Sequence, residues 1–112
     1  MFNLFGNSCP SMSMRDAKAA LDKDQDIHLI DVRTREEYRE GHIPGSLHVS
    51  LDQLPWQLEQ KLTNKAARIF VYCLSGSRSS QACRFLQRQG YNNVTNIGGI
   101  MNWPGAVSTG DN

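Results

Sequence analysis

Cysteine is scarce in this 112-residue chain: Cys9, Cys73 and Cys83 form an odd set with no CxxC spacing. Such a set points to neither a disulfide framework nor a zinc site, and it fits a reducing compartment with a thiol free for chemistry. No apolar run approaches the roughly 20 residues of a membrane-spanning helix. Neither sign of charge dominates, with 12 Lys plus Arg against 11 Asp plus Glu and a formal net charge of +1. A nucleic-acid partner would call for a clustered basic excess, so none is expected. The first ten residues are apolar but lack a basic start, which argues against a secretory signal. Repeats, low-complexity tracts and internal linkers are also missing. What remains is ordinary composition, 39% hydrophobic and 21% charged with a mean hydropathy of −0.48. The expectation is one cytoplasmic domain with no membrane partner, large enough for a core of its own. Its oligomeric state is not legible.

Only the ends look loose, and residues 1–12 and 105–112 read as tails around a domain at 13–104. Ser13 is placed to cap a helix from Met14 to about Asp22, with Ala17, Ala20 and Leu21 on one face. The run Ile27 to Val32 reads as a strand buried on both faces. Thr34 and Glu37 have capping-box spacing for a helix Arg35 to Glu40, which Gly41 and then Pro44 bring to a stop. A brief strand at Leu47 to Val49 precedes Leu51, Leu54, Leu58 and Leu62 at helical spacing, with Pro55 in the early turns where it is tolerated. Arg68 to Tyr72 is the strongest strand signal, being β-branched and aromatic, and it ends in Cys73. A helix from Ser79 to Gln89 then closes at Gly90, and Val94 to Ile97 gives a last strand before Gly98-Gly99. Helix and strand alternate throughout. The fold class is therefore α/β, with a mainly parallel central sheet flanked by helices and ligand sites at the carboxyl ends of its strands.

Chemistry is concentrated in Cys73-Leu74-Ser75-Gly76-Ser77-Arg78-Ser79, the connection from that strongest strand to a helix. A cysteine there sits at the functional rim of the sheet. The helix start presents free N–H groups and a positive dipole end. Gly76 lets the loop bend so that successive amides converge on one anion. Arg78 adds a permanent cation with a forked donor edge suited to oxyanions. A thiolate in such a cradle is expected well below the free thiol value of about 8.5. The plain alternative, a small buried hydrophobe at a strand end, sits poorly with a glycine-bent polar loop carrying an arginine.

These residues resemble a known family. Tyr72-Cys73 with Leu74 to Ser79 is similar to the active-site loop of rhodanese-like sulfurtransferases. Ile30-Asp31-Val32-Arg33, Glu37-Tyr38 and Gly41-His42-Ile43-Pro44-Gly45-Ser46 resemble the two upstream signatures, and Gly98-Gly99-Ile100 with Trp103 the C-terminal one. The resemblance covers residues 13–104 in order. It implies a single-domain sulfurtransferase in which Cys73 accepts a sulfur from thiosulfate or a persulfide and passes it to cyanide or a thiol, including a thiol protein. No metal or organic cofactor is implied. Leu74 to Ser79 would stabilise the terminal sulfur by main-chain dipoles, and Arg78, Ser77 and Ser79 would bind the donor.

A phosphatase or arsenate reductase on the same fold is the main competitor, and a non-catalytic binding module the other. Loop length separates the first two. Leu74 to Ser77 are the four residues between Cys73 and Arg78, whereas the phosphatase pattern has five. A tetrahedral phosphoryl group needs the wider ring, and Tyr72 stands where a histidine usually precedes the phosphatase cysteine. A binding module usually lacks the cysteine. Among other candidates, Cys83 reads as a packed side chain beside Ala82 and Leu86, with a resolving thiol as the alternative. Cys9 reads as an exposed tail thiol. Asp31 and Arg33 are expected to tie strand ends by paired charges, His42 to be a hydrogen-bonded loop residue, and Glu37 to be a cap rather than a catalytic carboxylate. Trp56 and Trp103 are expected to pack in the core or at the rim, and Met12 and Met14 show no ligand pattern.

Overall fold

A computed structural model describes residues 9–111. Four strands, β1 (His28–Asp31), β2 (Leu47–His48), β3 (Ile69–Cys73) and β4 (Val94–Gly99), form one all-parallel sheet in the order β2-β1-β3-β4. α1 (Met14–Lys23) precedes β1, and α2 (Arg35–Glu40), α3 (Leu54–Lys61, entered through a 3-10 turn at Leu51–Gln53) and α4 (Ser77–Arg88) lie between successive strands. The expected α/β architecture is thus the observed one.

β3 is buried at every position, as a central strand covered on both faces must be. Its two-residue alternation sorts the core. Ile69, Val71 and Cys73 join Leu54, Leu58, Ala82, Cys83 and Leu86 beneath α3 and α4, while Phe70 and Tyr72 join Met14, Ala17, Leu29 and Ile97 beneath α1. The same alternation therefore aims the Cys73 side chain at the face that α4 covers. Thr34 and Glu37 form the capping box that the spacing predicts, and Ser13 caps α1. Replacing such a cap by alanine typically costs about 1 kcal/mol.

Four expectations are corrected. The fourth helix begins at Ser77 rather than Ser79. Gly76 at φ +108° turns the chain into the helix directly, and the Ser79 hydroxyl, inside the helix, donates to Asn96. The ends are not loose where they are described. Residues 10–12 run beside β4, with the Met12 amide donating to the Asn96 carbonyl and the Asn96 amide to that of Pro10. Ser108 and His42 exchange both backbone hydrogen bonds, and Asp111 pairs with Arg35 and Arg39. The first eight residues of the expected N-terminal tail, and Asn112, lie outside the described residues. Finally, Cys9 and Cys83 form a disulfide across a Cα–Cα distance of 5.9 Å, within bridging range. Their sequence separation of 74 leaves no spacing signal, and the fold alone brings residue 9 to α4. Cys83 is therefore not the resolving thiol for Cys73 in this state, although it does pack with Ala82 and Leu86. Trp56 is 66% exposed on α3 and takes no part in the core.

A candidate sulfur-binding cradle at the tip of β3

Cys73 ends β3 with its side chain buried, and it is the one free cysteine among the described residues. The chain reverses over it through Leu74 and Ser75, both exposed, and enters α4 at Gly76. Two main-chain amides aim at the sulfur, Gly76 N–H at 3.0 Å and Ser79 N–H at 3.3 Å. The Ser79 hydroxyl stands 3.3 Å away. Burial pushes the Cys73 thiol up, but the Ser79 hydroxyl and the amides of Ser79, Gly76 and Ser75 outweigh it and hold the group below its ordinary value. The geometry is an anion nest: fixed dipoles point at one atom and reorganise little when that atom becomes charged.

β4 closes the loop from behind. Gly99 pairs with Cys73, and a Cβ at Gly99 would collide with the Leu74 carbonyl and the Ser75 backbone. Only glycine lets the loop lie this low. Asn96, two residues before Gly98, sits at a register shift where Val71 pairs with Asn96 but Tyr72 pairs with Gly98. Such a bulge re-aims side chains. Asn96 donates from Nδ2 to the Gly76 carbonyl and accepts at Oδ1 from the Ser79 hydroxyl. This residue was not singled out in the sequence, though asparagine inside a strand is depleted enough to be a signal.

Arg78 is held differently from expectation. Its Nη1 and Nη2 donate to the two oxygens of Glu37 at 2.7 and 2.9 Å, a bidentate pair linking α4 to α2. Glu37 is thus both the cap of α2 and the counter-ion of the loop's cation. The Arg78 guanidinium draws the Glu37 carboxyl from 4.5 down to about 2, and Glu37 in turn raises Arg78. A depressed carboxylate stabilises the pair above its unfolded value and loses it as pH falls. The clamp should therefore open only as pH drops from about 4.5 toward 2.

The remaining candidates fall into supporting places. Asp31 and Arg33 form a buried bidentate pair, and Arg33 also donates to the Gly41 carbonyl, tying β1 to the end of α2 as expected. Removing one partner of such a buried pair typically costs about 3–5 kcal/mol. His42 is fully buried, with Nδ1 on the Tyr38 carbonyl and its ring stacked on Tyr38. The Tyr72 hydroxyl receives the Ile43 amide and meets the Ser46 hydroxyl, which docks the segment 42–46 on the α1 face rather than at the sulfur. Trp103 is part-buried, donating to the Ala106 carbonyl. Ser77 is exposed at the first turn of α4.

The rhodanese-like domain family matches residues 13–106. A sulfurtransferase of Allochromatium vinosum is 39% identical over 70% of this chain and 73% of its own length. The thiosulfate sulfurtransferase PspE of Escherichia coli is 34% identical over 65% of this chain and 70% of its own. The Alr3790 protein of Anabaena superposes with a TM-score of 0.82 at 26% identity, covering 88% of this chain and 80% of that one. The chain spans 53% of the length of a Bacillus subtilis relative to which it is 34% identical. These relatives support a sulfurtransferase of the rhodanese type, and the chain belongs to the rhodanese-like domain family.

Proposed function

We propose that this domain moves a sulfane sulfur from thiosulfate or a persulfide to cyanide or a thiol through a persulfide on Cys73. The thiolate attacks the outer sulfur of the donor. In thiosulfate the S–S bond breaks and sulfite departs with the electron pair, leaving Cys73 as a persulfide anion. An acceptor such as cyanide then attacks the terminal sulfur, thiocyanate forms, and the Cys73 thiolate is regenerated. The nucleophile is activated by dipoles rather than by a base, and no metal or organic cofactor enters. The observation that carries this reading is the convergence of the Gly76 and Ser79 amides on the Cys73 sulfur in a loop with four residues before Arg78. The same loop disfavours phosphatase and arsenate chemistry, since its ring is sized for a sulfur atom rather than three phosphoryl oxygens. The name of the E. coli relative favours thiosulfate as a donor. The test is incubation with thiosulfate and cyanide beside para-nitrophenyl phosphate. Thiocyanate without phosphate release is expected, and phosphate release without thiocyanate would reverse the assignment.

In this reading Leu74 to Ser79 hold the transferred sulfur, and Arg78 attracts anionic donors against the opposing charge of Glu37. Arg78→Ala should lower kcat/KM for thiosulfate more than for an uncharged sulfane-sulfur donor such as a dialkyl trisulfide. Glu37→Gln should shift the same ratio about fivefold toward thiosulfate, the equivalent of ~1 kcal/mol for a partly exposed ion pair. A ratio unchanged in both variants would deny Arg78 its role. The acceptor is a small thiol, cyanide or a protein thiol. Among the described residues no helix is long and apolar enough to cross a membrane. A cytoplasmic location goes with a reduced Cys9 and Cys83, because disulfides persist in oxidising compartments. Trapping the thiols by alkylation in intact cells distinguishes the two states.

A further inference from the structure

The Ser79 hydroxyl has a single proton and three acceptors within reach: Asn96 Oδ1 at 2.7 Å, the Gly76 carbonyl at 3.1 Å and the Cys73 sulfur at 3.3 Å. The orientation of the Asn96 amide settles the competition. The Gly98 N–H, which can only donate, faces Oδ1 at 2.9 Å, and the Gly76 carbonyl, which can only accept, faces Nδ2 at 3.1 Å. Both ends are thereby fixed, and the amide cannot flip without setting donor against donor. The backbone of Asn96 is held on its other side by Pro10 and Met12, next to the Cys9–Cys83 disulfide. With an oxygen fixed at 2.7 Å, the Ser79 proton points away from Cys73 and the Ser79 oxygen offers its lone pair to the thiol.

We propose that Asn96 is a positioning residue that sets the direction of the Ser79 hydroxyl proton and, through it, how readily Cys73 releases its own. This rests on the reading of Cys73 as the sulfur-accepting nucleophile. In the thiol form the S–H donates to Ser79 Oγ while Ser79 donates to Asn96. On ionisation Ser79 must leave Asn96 to donate to the sulfur, so Asn96 competes directly with the thiolate for one hydrogen bond. The consequence is a thiolate kept more basic than the cradle alone would make it. Nucleophilicity falls as a thiol becomes more acidic, with a Brønsted slope of about 0.4–0.5, so the restraint preserves attacking power. Charged groups around Cys73 do not do this work. β4 carries none, α4 contributes Arg78 already paired with Glu37 of α2, and β1 contributes Asp31 already paired with Arg33.

The test reads Cys73 directly, from the pH dependence of its alkylation by iodoacetamide in the oxidised protein, located on the Cys73 peptide by mass spectrometry. It requires no sulfur transfer, so it stands or falls apart from the proposed activity. Asn96→Leu and Asn96→Ala each remove the competing acceptor and should lower the pH of half-reactivity by about 0.5–1, the scale of one charge-assisted hydrogen bond offset by its lost neutral counterpart. Ser79→Ala should raise it, and adding Asn96→Leu to Ser79→Ala should change nothing further, since the effect passes through the hydroxyl. If Asn96 only braces the loop, its loss withdraws the amides and raises the pH of half-reactivity instead. A rise or no change in both Asn96 variants, or a fall that persists without Ser79, overturns the proposal.

Discussion

Cys73→Ser is expected to abolish thiocyanate formation, by at least about 1000-fold, while the protein keeps its cooperative thermal transition. The loss follows from the chemistry of the attacking atom. A serine hydroxyl stays protonated in the same cradle, and without a neighbouring base it is a poor nucleophile. The fold should persist because the substituted atom remains an acceptor for the Gly76 and Ser79 amides and alters little of the core volume. Comparing steady-state rates with melting curves separates the two effects. Activity retained at a tenth of wild type or more would remove the thiol from the reaction, and loss of the transition would make the inactivity uninformative, in which case Cys73→Ala repeats the test.

The second large effect concerns stability. Reducing the Cys9–Cys83 bond, or removing it by Cys9→Ser, should destabilise the protein by about 4 kcal/mol. The sequence separation of 74 closes a long loop in the unfolded chain, and cross-linking such a loop removes much of its entropy. For a domain of this size that loss corresponds to a fall in melting temperature on the order of 20 °C. Cys9→Ser is preferred because Cys83 is fully buried in the α4 face of the core, where a hydroxyl would add its own cost. Calorimetry with and without reductant gives the answer. Equal melting temperatures would mean that the bond does not form in solution or constrains nothing there.

The sequence displayed the site wherever its signals were local. The β-branched run before Cys73, the glycine three residues later and the polar helix start lie within one short segment, and each element is dictated by its own residues. Thr34 with Glu37 was legible for the same reason, as was the alternation that places Ile69, Val71 and Cys73 together. What escaped was set by distance along the chain. Glu37 and Arg78 are 41 positions apart and Cys9 and Cys83 74 apart, so neither pairing leaves a trace in spacing. Asn96 escaped because its hydrogen bonds depend on a register shift in β4, which only the packed sheet defines. The start of α4 reads two residues late because Gly76 and the serine that follows it have the composition of a loop. Gly76 in a left-handed conformation turns the chain into the helix at Ser77, and the Ser79 hydroxyl donates to Asn96.

The most direct measurement is the mass of the intact and digested protein after exposure to thiosulfate without reductant. Sulfur held at the tip of β3 predicts a gain of about 32 Da, one sulfur atom, on the peptide carrying Cys73, discharged on adding cyanide. Turnover with that peptide unmodified, or with the added mass on Cys9 or Cys83, would contradict it.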